Sequence, residues 1–380
     1  MPGNAAPEEN ALMSTLAEAG KHNGDIVAPD PQASALDSRR RLTGTLSRDV
    51  LIDIALVVAL GLLMAIFGVA SSGKEFLGTN IVAIFDSGAI LGVVAVGEVI
   101  VMIAGALDIS VGSNAGLVTA AVAEVMLHQR NDLPLAIVVG LLVGALAGAI
   151  NGLAVAYLRV NAVIATLATY SAFLGAALLV TNGNQVGVVS SFLATLGTGS
   201  AASVPYLVFI LVVVVAIAMF AMRSTLAGHR VYAVGGGPTA SRLAGIRVQR
   251  YLLGVFVVSG LCAAVAGVML VGQTGTAQPT EGSVGLELTA ITAVLLGGTG
   301  LTGGTGTVLG AVLGVLVLST LDNGLLLIGV PSFWQEVATG GLLLVAVLLQ
   351  DVGGHRARWR AVRAARRRAA RSGAAMAVRP

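Results

Sequence analysis

A small set of acidic and amide side chains within long apolar runs could carry chemistry in this chain of 380 residues. Glu98 lies deepest within its run, and a carboxylate in such surroundings must face a cavity or a partner. Asp108, by contrast, is expected at a helix end, where a carboxylate commonly caps the backbone. Amides in apolar runs either line a polar path or bond between helices. The candidate path residues are Glu98, Asn151, Asn161, Asn182, Gln185 and Asn323.

Several catalytic sites are excluded by the residues that the chain lacks. Lys21 and Lys74 are followed by His and Glu, so neither completes the Walker A motif GxxxxGK[ST] for ATP hydrolysis. The sequence contains no HExxH motif and no GxSxG motif. We therefore expect a protein that is not an enzyme and has no cofactor or metal site. Its four histidines lie in separate segments without metal-ligand spacing: His22, His128, His229 and His355.

The segment GTGLTG at 298–303 matches the dinucleotide fingerprint GxGxxG by letter. That fingerprint requires a strand before it and a helix after it within a βαβ unit, whereas this segment has long apolar runs on both sides. We expect a tight cytoplasmic turn in which glycine adopts positive φ.

The composition indicates a membrane protein, because 56% of residues are hydrophobic, 11% are charged and the mean hydropathy is +0.90. Apolar stretches of about 20 residues are long enough to cross the hydrocarbon core as helices. We expect an all-α, polytopic transmembrane bundle of about ten spans, with the second span bent or broken at its glycines. The expected spans lie at about 51–70, 80–106, 110–128, 134–157, 162–181, 205–222, 251–272, 284–298, 305–322 and 332–350.

Charge distribution predicts that both termini are cytoplasmic. Ten spans with the amino terminus inside leave only Lys74 and Arg130, of 22 basic residues, on the outer side. Residues 1–47 have no apolar run and are expected to form a disordered cytoplasmic tail. Residues 48–351 form the transmembrane domain. Residues 352–380 form an arginine-rich cytoplasmic tail, expected near anionic lipid rather than nucleic acid because it has one aromatic residue and no folded module.

Glycines recur every four residues in two of the expected spans. At that spacing they share one helix face and let a neighbouring backbone approach closely, so we expect helix packing sites. These glycines are Gly140, Gly144, Gly148 and Gly152 in one span, and Gly306, Gly310 and Gly314 in another.

A basic loop at 223–250 separates the sixth and seventh spans. It contains five arginines and no acidic residue, which places it in the cytoplasm, where a loop of this length usually meets another protein. Because the chain lacks a Walker A motif, a motor that acts here must be a separate chain.

Five stretches resemble the permeases of ribose-type ABC importers, a family that includes simple-sugar and autoinducer-2 permeases. They cover roughly residues 50–350, and their order and spacing carry the resemblance. They are AVGEVIVMIAGALDISVGS (95–113), NAVIATLATYSAFLGAALLVTNG (161–183), STLAGHRVYAVGGGPTASRLAGI (224–246), AQPTEGSVGLELTAITAVLLGGTGLTGGTGTVLGAVLG (277–314) and LDNGLLLIGVPSFWQEV (321–337).

The resemblance implies a ten-helix permease in the bacterial cell membrane that pairs with a second permease, identical or different. Two cytoplasmic ATPases, which hold ATP and Mg²⁺, and an extracytoplasmic solute-binding protein would complete the importer. The loop between the sixth and seventh spans would supply the helix that couples to the ATPase. Its residues here are Gly235, Gly236, Gly237, Pro238, Ala240, Ser241, Arg242, Leu243, Ala244, Gly245 and Ile246.

Two positions depart from the family pattern. Relatives commonly read GGNEAA at the start of the coupling segment, and Gly237 and Pro238 stand in the Asn-Glu positions here. Proline suits the first position of a helix and can begin the coupling helix. Leu174 replaces an arginine that relatives often place before Gly175, which leaves a substrate other than ribose open.

The preferred interpretation is the permease subunit of a carbohydrate importer. Nucleosides, branched-chain amino acids or another small polar solute are alternatives within the same architecture. A stand-alone secondary transporter or channel would instead depend on an ion gradient, and the sparse membrane carboxylates argue against it. A purely structural membrane protein would show no solute flux.

Overall fold

The computed structural model of the chain describes residues 48–128, 132–277, 279–280, 285–331 and 333–348. The expected tails at 1–47 and 352–380 lie outside the described residues. The described part folds as helices joined by short turns, with four strands of two residues each.

Thirteen α-helices occur in the described ranges, with one 3₁₀ turn at Lys74–Phe76. The helices are α1 Arg48–Ala70, α2 Gly78–Ile103, α3 Val111–His128, α4 Leu133–Ala156, α5 Ala162–Thr181, α6 Ser191–Thr198, α7 Tyr206–Ser224, α8 Leu226–Gly236, α9 Pro238–Leu243, α10 Val248–Thr274, α11 Leu286–Leu296, α12 Val308–Leu327 and α13 Phe333–Leu348. The strands are β1 Val186–Gly187, β2 Ser200–Ala201, β3 Val204–Pro205 and β4 Thr276–Ala277. Strands β1 and β4 pair antiparallel, as do β2 and β3.

A helix lies at each of the ten expected span positions, which confirms the all-α membrane bundle. Seven of them, α1, α2, α4, α5, α7, α10 and α12, are long and apolar enough to cross a membrane. The other three are shorter or more polar. Helices α11 and α13 have fewer than 18 residues, and α3 carries Asn114, Glu124 and His128.

Helices α2 and α10 form the centre of the bundle, and most of their residues are buried. The expected break in α2 is wrong, since the helix runs unbroken from Gly78 to Ile103. Its glycines lie where neighbours approach: a Cβ on Gly88 would meet Ser319, one on Gly92 would meet Leu211, and one on Gly97 would meet Ser259 and Cys262. Close packing therefore accounts for these glycines.

The glycines of α4 lie against α10 and α3. A Cβ on Gly144, Gly148 or Gly152 would overlap backbone atoms of α10, and one on Gly140 would meet Val118 and Val122 of α3. In α12, a Cβ on Gly310 would overlap the backbone of Gly297, and one on Gly314 would overlap the backbone of Ala293.

The assignment of Gly306 to the packing face of α12 is wrong. Thr307 caps that helix by accepting a hydrogen bond from Gly310 N at 2.9 Å, so the helix begins at Val308. Gly306 precedes it with φ of 127°, and a Cβ there would overlap the side chain of Thr299.

Replacing Gly148 by alanine should destabilise the bundle, because the new Cβ overlaps the Phe256 carbonyl group. Overpacking typically costs about 1–3 kcal/mol, and a backbone neighbour cannot rotate away. Gly254→Ala in α10 is the matched control, since no described atom lies within 4 Å of its Cβ position. Thermal unfolding of the detergent-purified protein should show a lower midpoint only for Gly148→Ala. Equal midpoints would contradict this account of the α4–α10 contact.

Candidate functional site

Helices α8 and α9 lie within the basic loop and form a compact unit after α7. Thr225 joins α7 to α8: its hydroxyl donates to the Ala221 carbonyl at 2.6 Å and accepts from Gly228 N at 3.1 Å. Ser241 fixes α9 to α8, because its hydroxyl donates to the Ala233 carbonyl at 2.8 Å. The two helices therefore have a defined mutual position.

Helix α9 has a clear start and a clear stop. Pro238 occupies its first position, as proline's missing N–H favours. At its end Gly245 adopts φ of +79°, Gly245 N donates to Arg242 O at 3.0 Å and Ile246 N donates to Ser241 O at 2.9 Å. This pair of bonds is the Schellman arrangement of a helix C terminus. Residues 235–246 thus contain a short, well-terminated helix where the coupling helix is expected.

The outer surface of α9 exposes one large apolar and one charged side chain. The Leu243 side chain is 86% exposed, and Arg242 beside it is also exposed. Leu243 and Arg242 are therefore the side chains that α9 makes available for contact with another chain.

The carboxyl-terminal end of α8 meets the segment after α2 and the turn before α12. We call this contact the glycine junction, and it comprises Gly105, Gly235, Gly303 and Gly304. Gly304 N donates to the Ile103 carbonyl at 2.8 Å. A Cβ on Gly235 would overlap that same carbonyl oxygen, and one on Gly303 would lie 2.6 Å from Gly105 Cα. Three chain segments therefore meet through backbone contacts, which glycine alone permits.

Tyr232 adds a side-chain link between α8 and the turn. Its hydroxyl donates to the Gly306 carbonyl at 2.9 Å. Burial raises the pKa of Tyr232, so the phenol keeps the proton that it donates. The segment GTGLTG contributes this turn, with positive φ at Gly298 and Gly303, and it has no βαβ context.

A second assembly, the buried polar cluster, lies just beyond the glycine junction. It comprises Glu98, Asp108, Ser110, Asn151 and Ser259, all of which are buried. Asn151 donates to Ser110 Oγ at 2.7 Å and to Asp108 Oδ1 at 3.3 Å, and Ser259 donates to Asp108 Oδ2 at 3.0 Å. Ser110 Oγ also donates to Asp108 Oδ1 at 2.7 Å.

The two carboxylates of this cluster, Glu98 and Asp108, differ in the number of hydrogen bonds that their oxygens accept. Glu98 Oε1 accepts from Asp108 N at 3.2 Å, whereas Glu98 Oε2 is buried without a hydrogen-bond partner among the residues described. Burial raises the pKa of Asp108, and hydrogen bonds from Ser110 and Ser259 act in the opposite direction. Four donated hydrogen bonds hold the Asp108 carboxyl in one orientation.

The cluster connects four helices. Glu98 belongs to α2, Asn151 to α4 and Ser259 to α10, while Thr169 of α5 donates to Asn151 Oδ1 at 2.6 Å. Thr166 of the same helix donates to the Leu107 carbonyl at 3.4 Å. The segment at 104–110, which starts at the glycine junction, is therefore hydrogen-bonded to α4, α5 and α10.

The candidate path residues do not form one continuous group. Glu98 and Asn151 lie in the buried polar cluster, but Asn161 caps the start of α5 and Asn182 ends that helix at φ of 51°. Gln185 donates to Thr276 Oγ1 at 3.0 Å, near the paired strands β1 and β4.

Asn323 lies in a second polar region, near the amino-terminal end of α11 and the carboxyl-terminal end of α12. Glu287 is buried, and the Glu336 carboxylate interacts electrostatically with both Glu287 and Asp322. Glu287 Oε2, Asp322 Oδ1 and Asn323 Oδ1 are buried acceptors without a hydrogen-bond partner in the described ranges.

Sequence reasoning missed Asp108, Ser110, Ser259 and Thr169 as members of one site. Asp108 lies between two span ends, as expected, and accepts a hydrogen bond from the Ser110 backbone N, but it is also fully enclosed and bonds to Asn151 and Ser259 of other helices, which a simple cap does not explain. The polar segment at 108–110 between two apolar runs was the one available signal, but such a segment usually marks a surface turn.

Comparison with known proteins decides the family. The family model for the branched-chain amino acid transport system / permease component matches residues 80–347. The chain belongs to this permease family. The xylose transport system permease protein XylH of Escherichia coli K12 is 34% identical over 370 residues, covering 81% of this chain and 93% of that protein.

Two further relatives support the ribose-type resemblance. The ribose import permease protein RbsC of Haemophilus influenzae is 37% identical over 302 residues, covering 78% of this chain and 92% of that protein. The autoinducer 2 import system permease protein LsrC of Enterobacter sp. 638 is 38% identical over 291 residues, covering 76% of this chain and 84% of that protein. These relatives are transport permeases rather than enzymes. No solved structure matches the chain.

Proposed function

We propose that this chain is the permease subunit of an ABC importer and forms the pathway for a sugar or sugar-like small polar solute. ATP hydrolysis on a separate subunit would drive transport. The observation that carries the proposal is the rigid helix α9, with Leu243 exposed on it, at the start of a backbone-packed route through the glycine junction into α2. A permease that responds to a cytoplasmic motor needs such a mechanical connection.

The proposed partners follow from the family. A pair of cytoplasmic ATPases would hold ATP and Mg²⁺ and contact α9, a second permease would complete the pathway, and an extracytoplasmic binding protein would deliver the solute. The arginines of the basic loop favour a cytoplasmic position for α8 and α9, and so for both termini. Uptake by proteoliposomes in which this chain is the sole permease would show that the second permease is another copy of it.

A sugar is favoured by the relatives that transport xylose and ribose, and by the polar region near α11 and α12. Its free acceptors, Glu287 Oε2, Asp322 Oδ1 and Asn323 Oδ1, suit the hydroxyl donors of a carbohydrate. Leu174 occupies α5 where ribose permeases often place an arginine, so a sugar other than ribose is proposed.

Reconstitution tests the function. Proteoliposomes that contain the permease, its cognate ATPase and its loaded binding protein should accumulate a sugar only with ATP. Omitting the ATPase should abolish uptake. Undiminished uptake without the ATPase, driven by an ion gradient, would instead show a stand-alone secondary transporter.

The family description supports a second candidate, a permease for branched-chain amino acids. The unpaired carboxylate acceptors could receive the ammonium group of such a solute. Competition in the same proteoliposomes separates the two, since an amino acid that displaces labelled sugar at similar concentration would favour the second candidate.

Changing the α9 surface should uncouple the complex without preventing membrane insertion. Arg242→Glu reverses an exposed charge, and Gly245→Trp places a bulky residue at positive φ, which costs about 1–2 kcal/mol for an L-residue. Both variants should lose the stimulation of ATPase activity by loaded binding protein. Arg247→Glu, an equal charge reversal just beyond α9, should retain it. Wild-type stimulation in Arg242→Glu and Gly245→Trp would refute the α9 assignment.

A further inference from the structure

An apolar groove runs along the outer surface between α7 and α10, over the side of α2. Its volume is about 530 Å³, within the range of about 300–1,000 Å³ typical of ligand sites. Its walls include Val214 and Ile217 of α7, and Val258 and Leu261 of α10. Because Ile217 is 64% exposed, the groove opens toward the surroundings of the bundle rather than its centre.

The polar side chains of the groove are confined to one end. Arg250 and Tyr251 lie there, at the first turn of α10, and the Arg230 guanidinium donates to Tyr251 Oη at 2.8 Å. Within the described residues Arg250 has no ion-pair partner, and the sequence places no acidic residue in the whole basic loop at 223–250. One end therefore carries uncompensated positive charge.

The length of the groove matches one leaflet of a bilayer. Arg250 and Val265 mark its extent on α10, and at 1.5 Å per residue they are about 22 Å apart along the axis. One leaflet, with its headgroup region included, is about 20–22 Å thick. Gly254 leaves space in the wall, since none of the described atoms lies within 4 Å of its Cβ position.

We propose that this groove, which we call the basic groove, is a binding site for one anionic phospholipid. An acyl chain would lie between α7 and α10, and the phosphate would lie between Arg250 and Arg230. The leaflet is the one that contains the basic loop. Charge complementarity identifies the occupant, because basic sites between membrane helices at that surface bind anionic headgroups, whereas a sugar would find few partners on the apolar walls.

Lipid titration of the full-length, detergent-purified chain tests the proposal by native mass spectrometry. Phosphatidylglycerol should bind one per chain and more tightly than phosphatidylcholine with the same acyl chains. Arg250→Gln should weaken phosphatidylglycerol binding about fivefold and leave phosphatidylcholine unchanged. Gly254→Leu should abolish binding of both lipids, because the side chain fills the groove.

Gly61→Leu is the matched control, since Gly61 lies in α1 with no described atom within 4 Å of its Cβ position. It should bind both lipids as the wild type does. Equal affinity of the wild type for the two lipids would overturn the proposal, as would unchanged phosphatidylglycerol binding in Arg250→Gln. Release of a co-purified protein by Gly254→Leu, with lipid retention unaltered, would show a protein occupant instead.

Discussion

ATP-driven uptake should fall to background when Gly235 is replaced by alanine. The added Cβ overlaps the Ile103 carbonyl oxygen and lies 2.6 Å from Gly304 N, two atoms that are hydrogen-bonded to each other. Overpacking of this kind costs about 1–3 kcal/mol, and here it must separate α8 from α2 or break the bond. Either result breaks the backbone contact between α8 and α2 at the glycine junction. Sugar uptake and ATPase stimulation in proteoliposomes measure the effect.

Gly236→Ala is the matched control for this variant. Its Cβ would lie 3.9 Å from Gly304 Cα, an ordinary van der Waals contact. Uptake should stay near the wild-type rate, although the substitution is the same and one residue away. If both variants transport equally well, the glycine junction does not carry the connection.

The second large effect is expected for Asn151→Leu in the buried polar cluster. Leucine has a similar volume but cannot donate to Asp108 and Ser110 or accept from Thr169. A buried polar group left without its partner costs about 1–3 kcal/mol, and three partners are affected. We expect a lower thermal midpoint together with reduced uptake, because α4 and α5 lose their link to the segment at 104–110.

Gln185→Leu controls for the loss of an amide. Gln185 is exposed and makes one hydrogen bond, to Thr276. Its thermal midpoint should change little, since exposed hydrogen bonds are replaced by water. A similar loss of stability in the two variants would argue against a special role for the cluster.

The positions of the seven long apolar helices follow from the sequence, because the length and apolarity of a run are enough to identify a membrane helix. The boundaries of α9 can also be predicted from neighbouring residues, because Pro238 stands at its start and Gly245 follows its end. Asn161 could also have been recognised as a helix cap, since it directly precedes the apolar run of α5 and accepts from Val163 N.

The buried polar cluster could not be predicted, because its members come from three helices and a connecting segment. Asp108 and Asn151 are 43 residues apart, and Asp108 and Ser259 are 151 apart. The close packing of α4 against α10 at Gly148 and Gly152 brings Asn151 and Ser259 near each other, and Asp108 bonds to both. The four-residue glycine spacing also led to the wrong prediction for Gly306. The spacing continues through Gly306, whereas α12 begins only after its capping residue, Thr307.

Cross-linking from Leu243 tests the central claim most directly. A photo-reactive residue at position 243, where the side chain is 86% exposed, should form an adduct with the ATPase in the assembled complex. The same residue at position 179, where Leu179 of α5 is 81% exposed, should form none with the ATPase. An active complex in which position 243 never labels the ATPase would contradict the assignment of α9 as the coupling helix.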